Sequence, residues 1–328
     1  MPPFLLSVLD QSPISEGSTG ADALRNSLDL AQHVEALGFE RYWIAEHHGT
    51  PMLASAAPEI LIAAVAAATS RIRVGSGGVM LPHYSPLKVA EVFSMLAALH
   101  PARIDLGIGR APGTDPHTMF ALQRDRRQAS PDDFPEQLAE LLALLEDDLP
   151  RDHPFARLSA LPGGPERPEV WLLGSSPQSA IWAAELGLPY SFADFINPKG
   201  AELAKLYRER FQSSARREEP WVAAAVSVIC AESDAEAQRI AASARMAIAL
   251  LHAGQLIAVP TIEKALAFFE EHDVPPTGRR AVVGTPEVVR AGLEEVADQY
   301  GADELMLVTI THDHAARRRS YELVAGAF

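Results

Sequence analysis

Short apolar segments alternate along this chain with longer segments whose apolar residues recur at helical spacing. Eight of the short segments have the length and composition of buried strands: Phe4–Asp10, Arg41–His48, Ile72–Leu81, Arg103–Gly109, Val170–Leu173, Pro189–Ala193, Trp221–Cys230 and Glu304–Ile310. The segments between them predict helices, and Gly38 is placed to end the first helix as a left-handed cap. Parallel strands in this order need helical crossovers. The pattern therefore predicts an α/β fold, a (β/α)8 TIM barrel, in preference to an open doubly wound sheet.

Two regions interrupt this alternation. The region from about 114 to 168 follows the fourth strand, is rich in proline and charge, and contains one clear helix near Pro135–Asp147. The region from about 253 to 281, around strands seven and eight, contains another helix and the segment Pro275–Arg280. Long connections in compact domains are usually functional or mobile, and we interpret the second region as a mobile lid. Residues 1–328 are predicted to form a single domain, because barrels of this length commonly do.

Charged residues, histidines and glycines, which are uncommon in buried strands, lie where the predicted strands end. They form four segments: Glu46-His47-His48, Gly75–Gly78, Gly107–Arg110 and Gly174–Pro177. In a barrel of parallel strands the carboxyl ends converge on one face, where such enzymes keep their chemistry. The sequence therefore predicts an enzyme whose site is assembled from at least four strand ends.

Arg110 and the segment after the fifth strand suggest an anion site. Ser176 is placed as the N-cap of a helix, and the free N–H groups at a helix start attract anions. Taken alone, Ser175–Pro177 is more typical of an ordinary capped helix. The guanidinium of Arg110 on the same face shifts the interpretation towards a phosphate clamp. The pair Gly107 and Gly109 is not a dinucleotide fingerprint, because the third glycine is missing.

The segment Gly75-Ser76-Gly77-Gly78 interrupts the third strand. Glycine weakens a strand and usually marks a bulge or a surface that approaches another group closely. A planar ring such as a flavin would use this surface. A simple bend at a barrel corner explains the glycines equally well.

The segment Glu46-His47-His48 offers one carboxylate and two imidazoles at the end of the second strand. Because side chains alternate between the faces of a strand, we expect one imidazole to point into the site as an acid, base or hydrogen-bond donor. Metal ligation, with His83, His312 and His314 as partners, is the competing interpretation. The sequence has no tight histidine pair of a metal site, and His312-Asp313-His314 also suits a helix cap, so we predict no metal.

Composition narrows the classes of function. The chain has 28 basic and 43 acidic residues and a net charge of −15, which repels nucleic acid and anionic membranes. The sequence has no signal peptide and no apolar stretch of membrane-spanning length, which predicts a cytoplasmic protein. The single cysteine, Cys230, lies in an apolar segment and is expected to be an inert core thiol.

At these residues the chain resembles the bacterial luciferase-like flavin monooxygenases. The resemblance covers nearly the whole chain and is weakest across 114–168 and 253–281. It rests on Ser7–Asp10, Trp43–His48, Val74–Pro82, Gly107–Asp115, Leu173–Ser176, Gly187–Pro189 and Val283–Pro286.

The resemblance implies a TIM barrel that binds reduced FMN, FMNH2, at its carboxyl face. By motif position, Arg110 and Ser176 would hold the phosphate, with Gly174 and Ser175 nearby. Gly77-Gly78 would lie against the isoalloxazine ring, at a peptide bond that is often cis in this family.

The resemblance also implies the chemistry. His47 matches the family's catalytic histidine, and Glu46 precedes it. Reduced FMN would react with O2 through a C4a-peroxyflavin to oxidise a small organic substrate. Gly109 stands where luciferase itself has a reactive cysteine, so light emission is not expected.

As partners, the resemblance implies a separate NAD(P)H-dependent flavin reductase and a second copy of the chain in a homodimer. Three alternatives stay open: a reductase or dehydrogenase that uses the deazaflavin F420, a non-catalytic flavin-binding protein, and a metal-dependent hydrolase. The serine-rich segment at 174–176 favours FMN over the deazaflavin. The sequence does not identify the substrate.

Overall fold

A parallel barrel forms the centre of the computed structural model, which describes residues 4–110, 115–122, 133–164 and 166–328. Its strands are β1 (Leu5–Asp10), β2 (Arg41–Ile44), β3 (Arg73–Met80), β4 (Ile104–Gly109), β5 (Glu169–Leu173), β6 (Tyr190–Phe192), β7 (Val222–Cys230), β8 (Ala281–Gly284) and β9 (Glu304–Val308). Strands β1 to β6 pair in chain order, and β6–β7, β7–β9 and β9–β1 pairs close the barrel. The predicted (β/α)8 barrel is confirmed, and its eight strands are the eight predicted from the sequence.

Helices alternate with the strands around the outside. They are α1 (Gly20–Leu37), α2 (Pro58–Ala68), α3 (Pro86–Leu99), α4 (Pro116–Leu122), α5 (Phe134–Glu146), α6 (Pro177–Glu185), α7 (Ala201–Arg210), α8 (Asp234–His252), α9 (Ile262–Glu271), α10 (Pro286–Tyr300) and α11 (His314–Ala327). Gly38 ends α1 with a φ of 88°, as its position predicts. A short 3-10 helix, Leu81–His83, follows β3.

Both predicted insertions contain regular structure that the sequence did not reveal. The connection from β4 to β5 carries α4 as well as the predicted α5, although segments 111–114 and 123–132 lie outside the described residues. The connection from α8 to α10 carries α9 and the additional strand β8. This ninth strand pairs with the carboxyl half of β7, from Ser227 to Cys230. Therefore β8 adds to the eight-stranded barrel without replacing any of its strands.

Paired charges fill the amino-terminal end of the barrel. Arg41, the first residue of β2, contacts Asp105 of β4 through Nη1 and Oδ2 at 2.9 Å. Its Nε lies 3.1 Å from Glu304 Oε2 at the start of β9. Arg73 also pairs with Asp105. Because Asp105 and Glu304 are fully buried, each charge needs these partners to offset its desolvation. Since these ion pairs occupy the amino-terminal end, we expect the functional site at the carboxyl end of the barrel.

Glycines allow β3 and β4 to approach each other closely. A Cβ atom at Gly75 would lie 2.5 Å from the carbonyl oxygen of Asp105, and one at Gly78 would lie 2.7 Å from that of Gly107. The register of the two strands shifts between Gly77 and Val79. The packing of the barrel by itself thus requires small residues in this segment.

Candidate active site

A cavity of about 1100 Å³ lies at the carboxyl face of the barrel. Its wall combines the ends of β1, β7 and β9 with one face of α8 and the loop 274–280 that precedes β8. Apolar side chains supply much of this wall, including Met52, Phe195, Ile248, Val308 and Ile310. A concave, mainly apolar site with a few polar groups is the usual form of a small-molecule binding site.

His47 is placed on the wall of this cavity by the loop that follows β2. The strand ends at Ile44, four residues earlier than predicted, because the chain then leaves the sheet. The backbone N–H of His47 donates to the carbonyl of Ser55 at 3.0 Å, which fixes the loop. Both His47 and His48 line the cavity, and the ring of His48 also contacts Glu46 through Nε2.

Gln11, just after β1, contacts the ring of His47. Its Nε2 lies 3.2 Å from Nε2 of His47. An amide nitrogen donates, so the contact as oriented fits the His47 tautomer whose ring proton is on Nδ1. The Gln11 side chain is buried, which restricts both groups to this arrangement.

Glu46 lies behind the two histidines and is fully buried. One carboxylate oxygen, Oε1, lies 2.7 Å from Nε2 of His48 and accepts from the hydroxyl of Tyr84 at 3.1 Å. The other, Oε2, accepts from the backbone N–H of Met80 at 2.9 Å. Burial and the Glu46 carboxylate raise the pKa of Tyr84, which therefore donates as a neutral phenol. These contacts suit Glu46 for positioning His48 and the end of β3.

The predicted phosphate residues meet beside β4 and β5. Gly109 pairs with Leu173 in the sheet, so Arg110 and Gly174 follow at neighbouring strand ends. The guanidinium of Arg110 lies 5.9 Å from the centre of the Trp182 ring on α6. The N-terminus of that helix is exposed at Ser175 and Ser176.

Ser176 caps α6 as predicted, and its hydroxyl accepts from the backbone N–H of Ser179 at 3.3 Å. A guanidinium, two exposed hydroxyls and a helix N-terminus form a donor set that suits a phosphate group. The residues present thus fit the phosphate end of FMN by their chemistry.

Gly77 and Gly78 lie in β3, and the peptide bond between them is cis, as the resemblance implies. A Cβ atom at Gly77 would lie 2.5 Å from Leu9 Cδ1 and 3.2 Å from Trp43 Cβ. Side chains of the barrel interior therefore occupy the space in front of Gly77. Contact of these glycines with a flavin ring remains a prediction.

Among the described residues, only one of the predicted site residues, His47, lines the cavity. The others, Glu46, Gly77, Gly78, Arg110, Gly174, Ser175 and Ser176, lie outside its wall. The strand order nevertheless places all of them at the carboxyl ends of β2 to β5, next to one another. The site therefore has two adjoining parts, and the sequence predicted mainly the part without the large cavity.

Sequence reasoning missed one polar contributor to the cavity, Gln11. Gln11 follows β1 directly, so its place at a strand end was an available signal. Arg279 belongs to a loop that the sequence identified as a lid, and residues 275–281 do line the cavity. Mobility of this loop stays a prediction.

The histidines considered as metal ligands are dispersed. The ring of His83 contacts that of His48 edge to face, whereas His314 pairs with Asp29 at 2.7 Å. Asp313 is the N-cap of α11. Within the described parts of the chain, histidines, cysteines and acidic residues form no group of three or more suited to a metal ion. The helices described there include none with both the length and the apolar character needed to cross a bilayer.

Comparison with known proteins identifies the family. The family model described as luciferase-like monooxygenase matches residues 4–304. The chain belongs to the luciferase-like monooxygenase family. A luciferase-like monooxygenase of Escherichia coli strain K12 is 41% identical over 322 residues, which cover 97% of this chain and 95% of that protein. The resemblance seen in the sequence is thereby confirmed.

A second named relative and a solved structure are also similar over nearly the whole chain. The N-acetyl-S-alkylcysteine monooxygenase of Bacillus subtilis strain 168 is 38% identical over 327 residues, covering 98% of this chain and 97% of that protein. The crystal structure of apo-MsnO8 superposes with a TM-score of 0.89 at 44% identity, covering 99% of this chain and 97% of that one. Enzymes that use F420 share the fold at 15% and 18% identity, with TM-scores of 0.67 and 0.63, which shows the fold alone.

Proposed function

We propose that this luciferase-like protein is an FMN-dependent monooxygenase that uses reduced FMN and O2 to oxidise a small organic substrate. One observation carries the proposal: the exposed N-terminus of α6 and Arg110 lie at strand ends next to the cavity that His47 lines. A site for an anionic cofactor thus adjoins a mainly apolar chamber. Such a pairing suits a reaction that needs both a flavin and an organic substrate.

The residues of the chain have distinct tasks in this proposal. Arg110, Ser175 and Ser176 bind the phosphate, while Gly77 and Gly78 of β3 would lie against the flavin ring. Bound reduced FMN would supply the two electrons with which O2 is split, one oxygen atom entering the substrate and the other leaving as water. The protein contributes mainly orientation and the exclusion of water, since the cavity wall is largely apolar.

His47 moves a proton in this proposal. Its Nε2 is engaged by Gln11, so Nδ1 is the ring atom that carries the exchangeable proton. Glu46 is a positioning residue, because its contacts go to His48, Tyr84 and the backbone of Met80. Direct participation of Glu46 in catalysis stays a prediction.

The substrate and the protein partners belong to the same proposal. The name of the Bacillus subtilis relative makes N-acylated S-alkyl amino acids the first compounds to screen. A separate NAD(P)H-dependent reductase would supply the reduced flavin. The exposed apolar side chains of Ile60, Met95 and Leu99 on α2 and α3 support a homodimer through this side of the barrel. A cytoplasmic location fits these partners.

Anaerobic mixing with reduced FMN, followed by exposure to O2, tests the proposal. We expect binding of reduced FMN, with slower flavin oxidation than in free solution and oxygen incorporation into a substrate when one is present. The same titration with F420 is the comparison. Tighter binding of F420, with reduction of a substrate in the absence of O2, would replace the proposed function with that of a deazaflavin enzyme. FMN binding without any oxygenated product across the screen would indicate a flavin-binding protein.

A further inference from the structure

Positive side chains predominate among the charged groups of the cavity wall, although the chain has a net charge of −15. Among the described residues that line it, Lys199, Arg245, Arg279 and Arg280 carry full positive charge, and Asp115 is the acidic one. This local excess is opposite in sign to the rest of the protein. It favours an anionic group on whatever occupies the cavity.

The charged residues of the cavity wall differ in their partners and in their exposure. The Nε of Arg280 lies 3.6 Å from Asp194 Oδ2, and its Nη1 donates to Gln299 at 2.7 Å. Arg245 is exposed and donates to the side chain of Gln238. Asp115 accepts from the hydroxyl of Thr118 at 2.6 Å, at the start of α4. Arg280 therefore has an acidic counter-charge, whereas the charges of Lys199 and Arg245 are exposed to solvent, which screens them.

Arg279 differs from the other cations. Its backbone N–H reaches the hydroxyl of Thr277 at 3.5 Å, but within residues 4–110, 115–122, 133–164 and 166–328 its guanidinium has neither a hydrogen-bond nor an ion-pair partner. The side chain is half-buried, and burial lowers its pKa. A half-buried guanidinium without an acidic partner is well suited to bind an anionic group of a ligand.

The phosphate of the flavin is a poor candidate for that counter-charge. The residues proposed to hold it, Arg110, Ser175 and Ser176, lie at the ends of β4 and β5 and outside the described wall of the cavity. Arg279 lies across the barrel face from them, in the loop between α9 and β8. An anion that contacts Arg279 would therefore be a second one, on the side of the cavity.

We infer that Arg279 binds a carboxylate of the organic substrate, whose apolar body packs against Phe195, Ile248 and Ile310. This inference rests on the proposed function and adds the substrate class: small amphiphilic carboxylates. An arginine fork pairs well with a carboxylate and fixes its orientation as well as its position. The atom to be oxygenated would then lie away from the loop and towards His47, which lines the same cavity.

Calorimetric titration of the full chain, with and without FMN, tests this inference. The probes are two matched pairs: octanoate with octanamide, and N-acetyl-S-benzylcysteine with its carboxamide. In the unchanged protein we expect at least one carboxylate to bind about 10-fold or more tightly than its amide. Arg279→Gln should reduce that ratio to near one and leave the Kd for FMN unchanged, whereas Arg279→Lys should retain part of it.

The control is Arg245→Gln, which removes an exposed cation of the same wall and should change the ratio little. A weaker Kd for FMN in Arg279→Gln, with an unchanged carboxylate-to-amide ratio, would assign Arg279 to the flavin phosphate and overturn the inference. Equal binding of each carboxylate and its amide, or binding of neither, would also overturn it. Failure of the monooxygenase proposal itself would appear separately, as loss of FMN binding or of oxygenation with the carboxylate preference intact.

Discussion

The carboxyl face of the barrel has two unlike halves. The glycine-rich half comprises the ends of β3, β4 and β5, with Gly75–Gly78, Gly107–Gly109 and Gly174. The cavity half comprises the segments at the ends of β1, β6, β7 and β9 with the loop 274–280. In the glycine-rich half, backbone meets backbone so closely that a Cβ at Gly107 would overlap the carbonyl oxygen of Ser76. In the cavity half, a loop and a helix face enclose about 1100 Å³.

This contrast separates what a flavoenzyme needs to keep constant from what it varies. A cofactor of fixed shape is served by strand ends whose geometry the sheet itself sets. Substrates differ between relatives, and a wall formed by a loop is easily altered. His47 lies at the junction, since it follows β2 and lines the cavity. Variants in the glycine-rich half should therefore weaken cofactor binding or stability, whereas variants in the cavity half should change substrate binding.

The largest expected effect belongs to His47. His47→Ala should lower turnover about 100-fold or more, because the imidazole that carries the exchangeable proton at the junction of the two halves is lost. The Kd for FMN should change little. Turnover and flavin titration on the same preparation check this, with His272→Ala, an exposed histidine at the end of α9, as the control. Unchanged turnover would remove His47 from the mechanism.

Arg110→Ala tests the glycine-rich half. Loss of a charge-assisted contact to phosphate should weaken FMN binding about 10- to 100-fold. Arg290→Ala is a matched control, because Arg290 also lies over an aromatic ring, Phe328, but on the outer helices. Fluorescence titration with FMN measures both. Equal affinities in the two variants would place the phosphate elsewhere.

Gly107→Ala tests how tightly that half is packed. The new methyl group would overlap the carbonyl of Ser76 and lie 2.9 Å from Leu173 Cδ1. We expect a loss of about 1–3 kcal/mol in the free energy of unfolding. Gly326→Ala, where nothing lies within 4 Å of the new Cβ, should instead stabilise α11 by about 0.5–1 kcal/mol. Urea denaturation distinguishes the two, and equal stabilities would contradict the packing argument.

The smallest effect is expected at Cys230, at the end of β7 in the cavity half. Burial raises the pKa of its thiol to about 12, above the usual value of 9.0. Because the thiolate is the nucleophile, iodoacetamide should not label the folded protein between pH 7 and about pH 9. The urea-unfolded chain should react readily over the same range. Rapid labelling of the folded protein would show that the cavity half opens as far as β7.

The sequence predicted the barrel well because its strands are buried and apolar. All eight segments identified by hydrophobicity form strands of the barrel. The end of β2 was placed too late. The N–H of Ala45 still bonds to Asp10 at the end of β1, but that of His47 bonds to Ser55 in a loop. Strand β8 was missed because Ala281–Gly284 is four residues long and follows a proline-rich stretch. Helix α4 has no buried residue, so it lacks the apolar stripe that marks a helix.

The candidate site was predictable only in part. Motifs at strand ends revealed Arg110, Ser176 and His47, because each stands at a fixed place in the βα repeat. The wall of the cavity depends on where the loop 274–280 folds back over the barrel, and no local pattern encodes that position. Gln11 became visible only through its neighbours in space.

Because β8 pairs with β7, the loop before it can change in sequence without altering the strands of the barrel. The loop starts at the end of α9 and finishes where Ala281 pairs with Ser227. Whatever its length or sequence, this pairing returns the chain to one register before α10 and β9, so changes in the loop do not propagate into the barrel. Under the proposed function, selection could therefore revise substrate preference in one short segment without altering the barrel.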